Sequence, residues 1–364
     1  MKLNKRKSIL FVRHFGVISN LGDQLISEAT EEYLKKVTKD EGVIYKTASF
    51  VPYTQFGKFT FFNLIKGFFF GIKQALGVDR IVIIGGNLVI PNNTKFSLCF
   101  FYYFLLSKLF SCKFSTFGVG ISNPKGKKNW RNKLYLVALN SADYIGVRDE
   151  HSLDALSIIF KGSKIVKRNN TILSHDCAFL FDHKYFNTPI NTEKVALIPV
   201  NYHSATCNEN VITLTEEEYL TFHVQLLTNM VEQGLKPYIL CTDKTDEAFA
   251  FQINQSLRLD IYTPKEVDEL FDLLKSVKVV AARMHGIIAS LLSGNVVVGL
   301  NWQFKVKSLS EKQAINFPCF DFNLDNIEEI STCLSQQKIN KGLGDGTSFL
   351  YQELNTELIK LIRL

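Results

Sequence analysis

No Cys-x-x-Cys pair and no His/Cys cluster occurs among the seven cysteines and seven histidines of this 364-residue chain. The odd cysteine count and this spacing argue against a disulfide framework and a structural zinc site. Reduced thiols in a cytoplasmic protein are the expectation, with no metal. No stretch reaches the ~18 uninterrupted apolar residues of a membrane span. The basic start MKLNKRK precedes apolar residues, but the run Ile9 to Val12 stops at Arg13. That is too short for the apolar region of a signal peptide, so it reads as a first buried strand. Lys and Arg are not gathered into an interleaved basic-aromatic patch, which makes nucleic acid a poor partner. Low-complexity and disordered segments are absent as well. What is there is a foldable composition, 46% hydrophobic and 21% charged, with thirty Phe and a formal charge of +7. The length fits two domains of ~150–200 residues. The positive balance points to an anionic substrate or an anionic membrane face.

One stretch, Ser276 to Lys307, organises the rest. The apolar run Val277–Ala282 fits a buried strand of a parallel sheet. Arg283, Met284, His285 and Gly286 follow, then the helical pattern Ile287, Ile288, Leu291, Leu292, with Gly294 at the expected end. A second buried run, Val296–Leu300, completes a βαβ unit, and Lys305 comes shortly after it. Arg283 and His285 thus stand where a strand's carboxyl end meets a helix start, the usual ligand position of open α/β sheets. Free N–H groups and a partial positive charge at the helix start, with Arg283, His285 and Lys305, make a pocket for a small, strongly anionic ligand. The plainer alternative is that Arg283 pairs with a local carboxylate and His285 is only a polar residue at a helix start.

Elsewhere the chain repeats the βα rhythm. Asn20-Leu21-Gly22-Asp23 reads as a tight turn after strand Ser8–Val12, with Asp23 either capping the next helix or touching a neutral hydroxyl; the cap is favoured. Phe56–Gly77 and Phe96–Phe110 are aromatic-rich stretches flanked by lysines. Each suits an interfacial helix; for the second, burial against the sheet is favoured. Strand Arg80–Ile84 ends in Gly85-Gly86-Asn87, where a ligand could approach the backbone. Strand Ser115–Val119 leads to Gly118-x-Gly120, and strand Ala142–Val147 ends at Arg148. His175, Asp176 and Cys177 follow a short strand. A polar segment, 182–194, reads as a linker. Beyond it, strand Val195–Val200 ends at Asn201, and a helix near 348–363 closes the chain.

Taken together, these residues resemble the polysaccharide pyruvyl transferase family. The matching features are Asn20-x-Gly22-Asp23, Gly85-Gly86, Gly118-x-Gly120, Arg148 with Ser152, Asp176-x-Ala178, Arg283-x-His285-Gly286 and Lys305. Asn87 stands where a third glycine is usual, Asn295-Val296 replaces a common Gly-Pro turn, and Trp302 replaces a frequent tyrosine. The resemblance implies an α/β fold of two Rossmann-like domains facing a cleft, as in GT-B glycosyltransferases. Residues 1–186 would form the acceptor-side domain, contributing Arg148. Residues 187–345 would form the donor-side domain, and 346–364 a C-terminal helix. It further implies a transferase moving the pyruvyl group of phosphoenolpyruvate onto two hydroxyls of a sugar in a cell-surface polysaccharide or its lipid-linked precursor.

In that reading phosphoenolpyruvate is a donor substrate and no cofactor is required. Arg148, Arg283 and Lys305 bind it, and His285 is the catalytic acid. Asn20, Asp23, Gly85, Gly86, Asn87, Asp176 and Asn201 line the acceptor side or cleft. A lipid-linked acceptor would put the protein in the cytoplasm, peripheral at the inner face of the membrane. Two alternatives remain: a GT-B glycosyltransferase using a nucleotide sugar, with Asp321 as the nearest ribose ligand, and a non-catalytic binding protein of a polymer-assembly complex.

Overall fold

The computed structural model describes residues 6–14, 20–91, 93–122, 130–159, 170–181, 193–207, 211–336 and 341–364. All but the last two residues of the expected linker, 182–194, fall outside these. The chain divides into two compact units. One comprises Met1–Phe15, Ile26–Asp182 and Tyr351–Leu364, the other Gly16–Leu25 and His183–Leu350.

The first unit is built from β1 (Ser8–Arg13), most of α1 (Leu21–Asp40), β2 (Ile44–Ser49), α2 (Phe61–Ala75), β3 (Arg80–Ile84), β4 (Asn87–Val89) and α3 (Thr94–Leu109). It continues with β5 (Lys113–Ile121), α4 (Trp130–Asn140), β6 (Tyr144–Val147), α5 (Glu150–Ile159) and β7 (Thr171–Leu173). The strands join in the order β2-β1-β3-β5-β6-β7, all parallel, with β4 added beside β5. All six residues of β1 and all five of β3 are buried, because helices cover both faces of a parallel sheet. The strand order turns back between β1 and β3, so Gly85-Gly86 sits at the switch point. The aromatic helix α3 buries Phe100, Tyr103, Phe104 and Leu106, which is the packed reading of that stretch.

The second unit runs through β8 (Lys194–Ile198), α6 (Tyr202–Cys207), α7 (Glu216–Glu232), β9 (Lys236–Leu240), α8 (Glu247–Ile253), β10 (Ile261–Tyr262) and α9 (Val267–Leu273). Next come β11 (Lys278–Ala281), α10 (Met284–Leu292), β12 (Val296–Asn301), α11 (Phe304–Ser310), β13 (Cys319–Asp321) and α12 (Ile327–Gln336). The last helix, α13 (Lys341–Arg363), begins several residues earlier than its sequence pattern indicated. The sheet order is β10-β9-β8-β11-β12-β13, again parallel throughout. Renumbered from one, this is 3-2-1-4-5-6, the doubly wound Rossmann order, with its switch point between β8 and β11. Gly294, next after the C-cap Ser293 of α10, has φ at 73°, which ends the helix as its sequence suggested.

One buried histidine makes this unit acid-sensitive. His223 on α7 is fully buried among the rings of Tyr219, Phe222, Phe249 and Phe322, with Nδ1 2.8 Å from the Tyr219 carbonyl oxygen. Burial pushes its pKa from 6.5 down to about 4, against a smaller upward pull from that carbonyl. The fold therefore holds the neutral ring, whereas the unfolded chain protonates it near pH 6.5. The stability tied to the neutral ring is complete above pH 6.5 and is lost as pH falls towards 4, by about 2 kcal/mol at pH 5. Urea unfolding of the parent and His223→Phe at pH 7 and 5 should show the larger acid loss in the parent. Equal losses would remove His223 as the cause.

Candidate functional site

Three strand ends of the second unit converge at its switch point. Asn201 follows β8, the segment Thr242–Asp246 follows β9, and Arg283 and His285 follow β11. Arg283 occupies the N-cap position of α10 in extended conformation, with φ −70° and ψ 120°. His285 lies in the first turn. Gly286 lets the helix start press on Ile198, since an added Cβ there would lie 3.0 Å from that side chain.

The centre of the site is a residue the sequence did not single out. Asp246 is fully buried and accepts from Arg283 Nε at 2.8 Å and Nη2 at 2.7 Å. Asn201 adds its backbone N–H at 2.9 Å and its side-chain amide at 2.8 Å to the same carboxylate. The Asn201 side-chain oxygen accepts from Ser204 N at 2.8 Å, so Asn201 joins the end of β8 to both α6 and Asp246. The plainer alternative for Arg283 is thus half right: it does pair with a local carboxylate. That pairing uses two of the five N–H donors and locks the guanidinium plane, while the remaining edge stays available for a second anion.

Trp302 organises the other side. Its indole N–H donates to the Ala282 carbonyl oxygen at 2.7 Å, which fixes the ring beside the end of β11. The Arg283 guanidinium lies 5.7 Å from the ring centroid and Lys305 Nζ 5.8 Å. Both cations thus lie within cation–π distance of the same indole ring, which draws the two side chains to one place. Lys305 belongs to the first turn of α11, directly after β12, and β13 follows it.

Asn20 joins this unit too. It pairs by backbone with Asp243, and the next amide, Leu21 N–H, donates to the Thr242 carbonyl oxygen at 3.1 Å. Its side chain accepts from Gly22 N at 2.9 Å and Asp23 N at 3.3 Å. Two expectations change here. The segment Asn20–Asp23 is the start of α1 rather than a separate tight turn, and the cap is Asn20, with Asp23 inside the first turn. Asn outranks an Asp three residues on because only the residue before the helix has the extended backbone a cap needs. Gly22 meets His285 directly: an added Cβ would lie 2.2 Å from His285 Nδ1. The glycine is therefore what lets the start of α1 lie against the imidazole.

Arg148 and the remaining expected residues belong to the first unit. Arg148 is 5% exposed, and its Nε donates to Asp149 at 2.8 Å and its Nη1 to Asp176 at 3.2 Å. Burial opposes its charge, but the two carboxylates outweigh that and hold its pKa above the ordinary arginine value. Burial likewise opposes the charge of Asp149, yet Arg148 and the Ser152 hydroxyl and amide keep its carboxyl below the usual range. Asp176 also caps the short turn Cys177–Leu180 by accepting from Ala178 N. Gly85 and Gly86 both have positive φ, 69° and 71°, and Asn87 donates to the Ser122 hydroxyl at 2.9 Å. The structure therefore brings Asn20, Asp23, Asn201, Arg283, His285 and Lys305 into one unit. It gathers Gly85, Gly86, Asn87, Arg148 and Asp176 in the other.

Solved structures of low sequence identity share this architecture. Anabaena HepE, determined with UDP, covers 98% of this chain and 99% of its own at 11% identity, with a TM-score of 0.59. A glycosyltransferase from Rickettsia africae covers 98% and 99% at 13% identity and 0.57. WaaG, a glycosyltransferase of lipopolysaccharide biosynthesis, covers 97% and 99% at 8% identity and 0.55. These likenesses define the fold as GT-B, two Rossmann-like α/β units. No curated protein matches the chain. The family described as polysaccharide pyruvyl transferase matches residues 20–303. The chain belongs to that family, and it is a transferase. The match spans Asn20, Arg148, Arg283 and His285, and ends two residues before Lys305.

Proposed function

We propose that the protein transfers the pyruvyl group of phosphoenolpyruvate onto two hydroxyls of one sugar, as a cyclic ketal, during surface-polysaccharide assembly. The observation that carries this reading is the pair of cations on Trp302, with His285 two residues from Arg283 at the start of α10. Phosphoenolpyruvate carries a carboxylate and a phosphate on adjacent positions, and a planar guanidinium beside an ammonium suits both.

The balance of the reaction assigns the roles. A proton delivered to the methylene carbon makes it a methyl group and leaves the neighbouring carbon open to attack by the first hydroxyl. Phosphate then departs from that carbon and the second hydroxyl takes its place. Of the two hydroxyl protons released, one is matched by the proton on the methyl group and the other leaves with phosphate. His285 supplies the proton to carbon, and Arg283 and Lys305 stabilise the departing phosphate. Asp246 holds the guanidinium in orientation. We leave Arg148 out of the donor contacts, because Asp149 and Asp176 already neutralise it. Its role in this proposal is to hold the ends of β6 and β7 together. The acceptor is a lipid-linked sugar, met in the cytoplasm at the inner face of the membrane. No described helix is long and apolar enough to cross a membrane, so that meeting would be peripheral.

Thermal unfolding with a ligand panel tests the reading. Phosphoenolpyruvate should raise the melting temperature, corresponding to ~2.7 kcal/mol at a hundredfold excess over its dissociation constant. Stabilisation by a uridine diphosphate sugar, with none from phosphoenolpyruvate, would overturn it in favour of glycosyl transfer.

A further inference from the structure

The helix α2 is packed inside out. Its sequence is FFNLIKGFFFGIKQA, and its buried residues are Gly67, Gly71 and Ala75, one stripe at four-residue spacing. Phe61, Phe62 and Phe69 on the outer side are 74, 64 and 68% exposed, and Ile65, Phe68 and the following Leu76 are exposed as well. An ordinary surface helix buries its large apolar residues and turns small or polar ones outward.

The glycines show that this orientation is built in. A Cβ on Gly67 would lie 2.2 Å from the Pro52 carbonyl oxygen, and one on Gly71 2.5 Å from the Tyr102 hydroxyl. Only glycine permits that approach, so this stripe faces inward, with Phe70 and Ile72 packed beside it, while Phe61, Phe62 and Phe69 stay outside. Thr60 caps its start through Asn63 N at 3.0 Å, which fixes the register further. Helix α3 extends the apolar surface: Tyr102 donates to the Phe68 carbonyl oxygen and packs edge-on to the Phe68 ring at 4.7 Å. Leu98, Leu105 and Leu109, on the same stripe as Tyr102, are exposed too.

Charge identifies the occupant. Between Glu41 and Asp143 the sequence holds thirteen Lys and Arg and one acidic residue, Asp79. That span carries more positive charge than the whole chain's +7. Lys58, Lys66, Lys73, Lys95 and Lys108 are all exposed there, and Lys66 Nζ lies 4.3 Å over the Phe62 ring. A second protein copy would bring like charges together. An anionic bilayer accepts the phenylalanines below its headgroups and the ammonium groups among its phosphates.

We propose that α2, with the neighbouring stripe of α3, docks the protein on anionic lipid bilayers. The proposal gives a surface to the peripheral placement above but stands on this face alone, independent of the reaction. Co-sedimentation of the full chain with vesicles of phosphatidylglycerol and phosphatidylcholine tests it, beside vesicles of phosphatidylcholine alone. The parent should bind the anionic vesicles at low salt and release as salt rises. The triple change Phe61→Ser, Phe62→Ser, Phe69→Ser should weaken binding on the order of 100-fold with the melting temperature kept. The change of Lys58, Lys66 and Lys73 to Gln should cost a similar factor, on the order of 100-fold, only on anionic vesicles. Parental binding by the folded phenylalanine variant would overturn the proposal. So would absence of binding at low salt, or self-association in its place that the same variant abolishes. None of these outcomes touches the response to phosphoenolpyruvate.

Discussion

His285→Gln is expected to lower pyruvyl turnover by ~10²–10⁴, the usual share of a positioned general acid, while phosphoenolpyruvate still stabilises the fold. Glutamine fills much of the imidazole's space and can donate a hydrogen bond, but it cannot give up a proton to carbon. The change therefore separates holding the donor from protonating it. Gly22→Ala probes the same ring from the other side, because the added carbon would lie 2.2 Å from His285 Nδ1 and must displace it or the start of α1. It should depress turnover with Arg283 and Asp246 intact. Single-turnover formation of the sugar ketal is the measurement. A His285→Gln protein with near-parental turnover would remove the histidine from the mechanism, whatever its donor affinity.

The sequence was most informative where one signal served both fold and site. Buried strand, Arg-x-His, helix and closing glycine coincide in Val277 to Gly294; the structure puts β11 within a residue of that pattern at each end and starts α10 at Met284, three residues before Ile287. Strand β3 has the bounds its apolar run suggested, Arg80–Ile84. The helix start at Asn20 looks like a turn in the sequence because Asn-x-Gly-Asp carries turn residues, and those same residues also start helices. What distinguishes the two is a long-range contact, the tie from Leu21 N–H to Thr242. Helix α2 shows a different limit. Its phenylalanines indicate only that some face is apolar, while the spacing of Gly67, Gly71 and Ala75 decides which face is inward. That spacing is legible in the sequence, but glycine ordinarily argues against a helix. Asp246 had no local signal: its partner is 37 residues away, and a polar run after a strand looks like any loop.

That missed carboxylate gives the largest expected effect on stability. Asp246 has no exposure and the Arg283 side chain 18%, so Asp246→Asn removes one charge of a mostly desolvated pair and leaves the other behind. Breaking such a pair typically costs ~3–5 kcal/mol, more than the pair's own net contribution, because a lone buried charge remains. Asn201 still donates to the amide oxygen, so the backbone turn is kept and the loss reports on the guanidinium. Adding Arg283→Met to Asp246→Asn should recover part of the loss, since no unpaired ion is left. Donor anions should act in the same direction. Phosphoenolpyruvate can take the place of the missing carboxylate, and its thermal shift should be larger in Asp246→Asn than in the parent. Turnover should still fall, because a guanidinium held only by substrate no longer presents a fixed edge to the departing phosphate. Urea unfolding with and without phosphoenolpyruvate reads both effects. A single variant within ~1 kcal/mol of the parent would mean that the charge on Asp246 is not what holds Arg283. An unchanged donor response would place the phosphoenolpyruvate site away from this arginine.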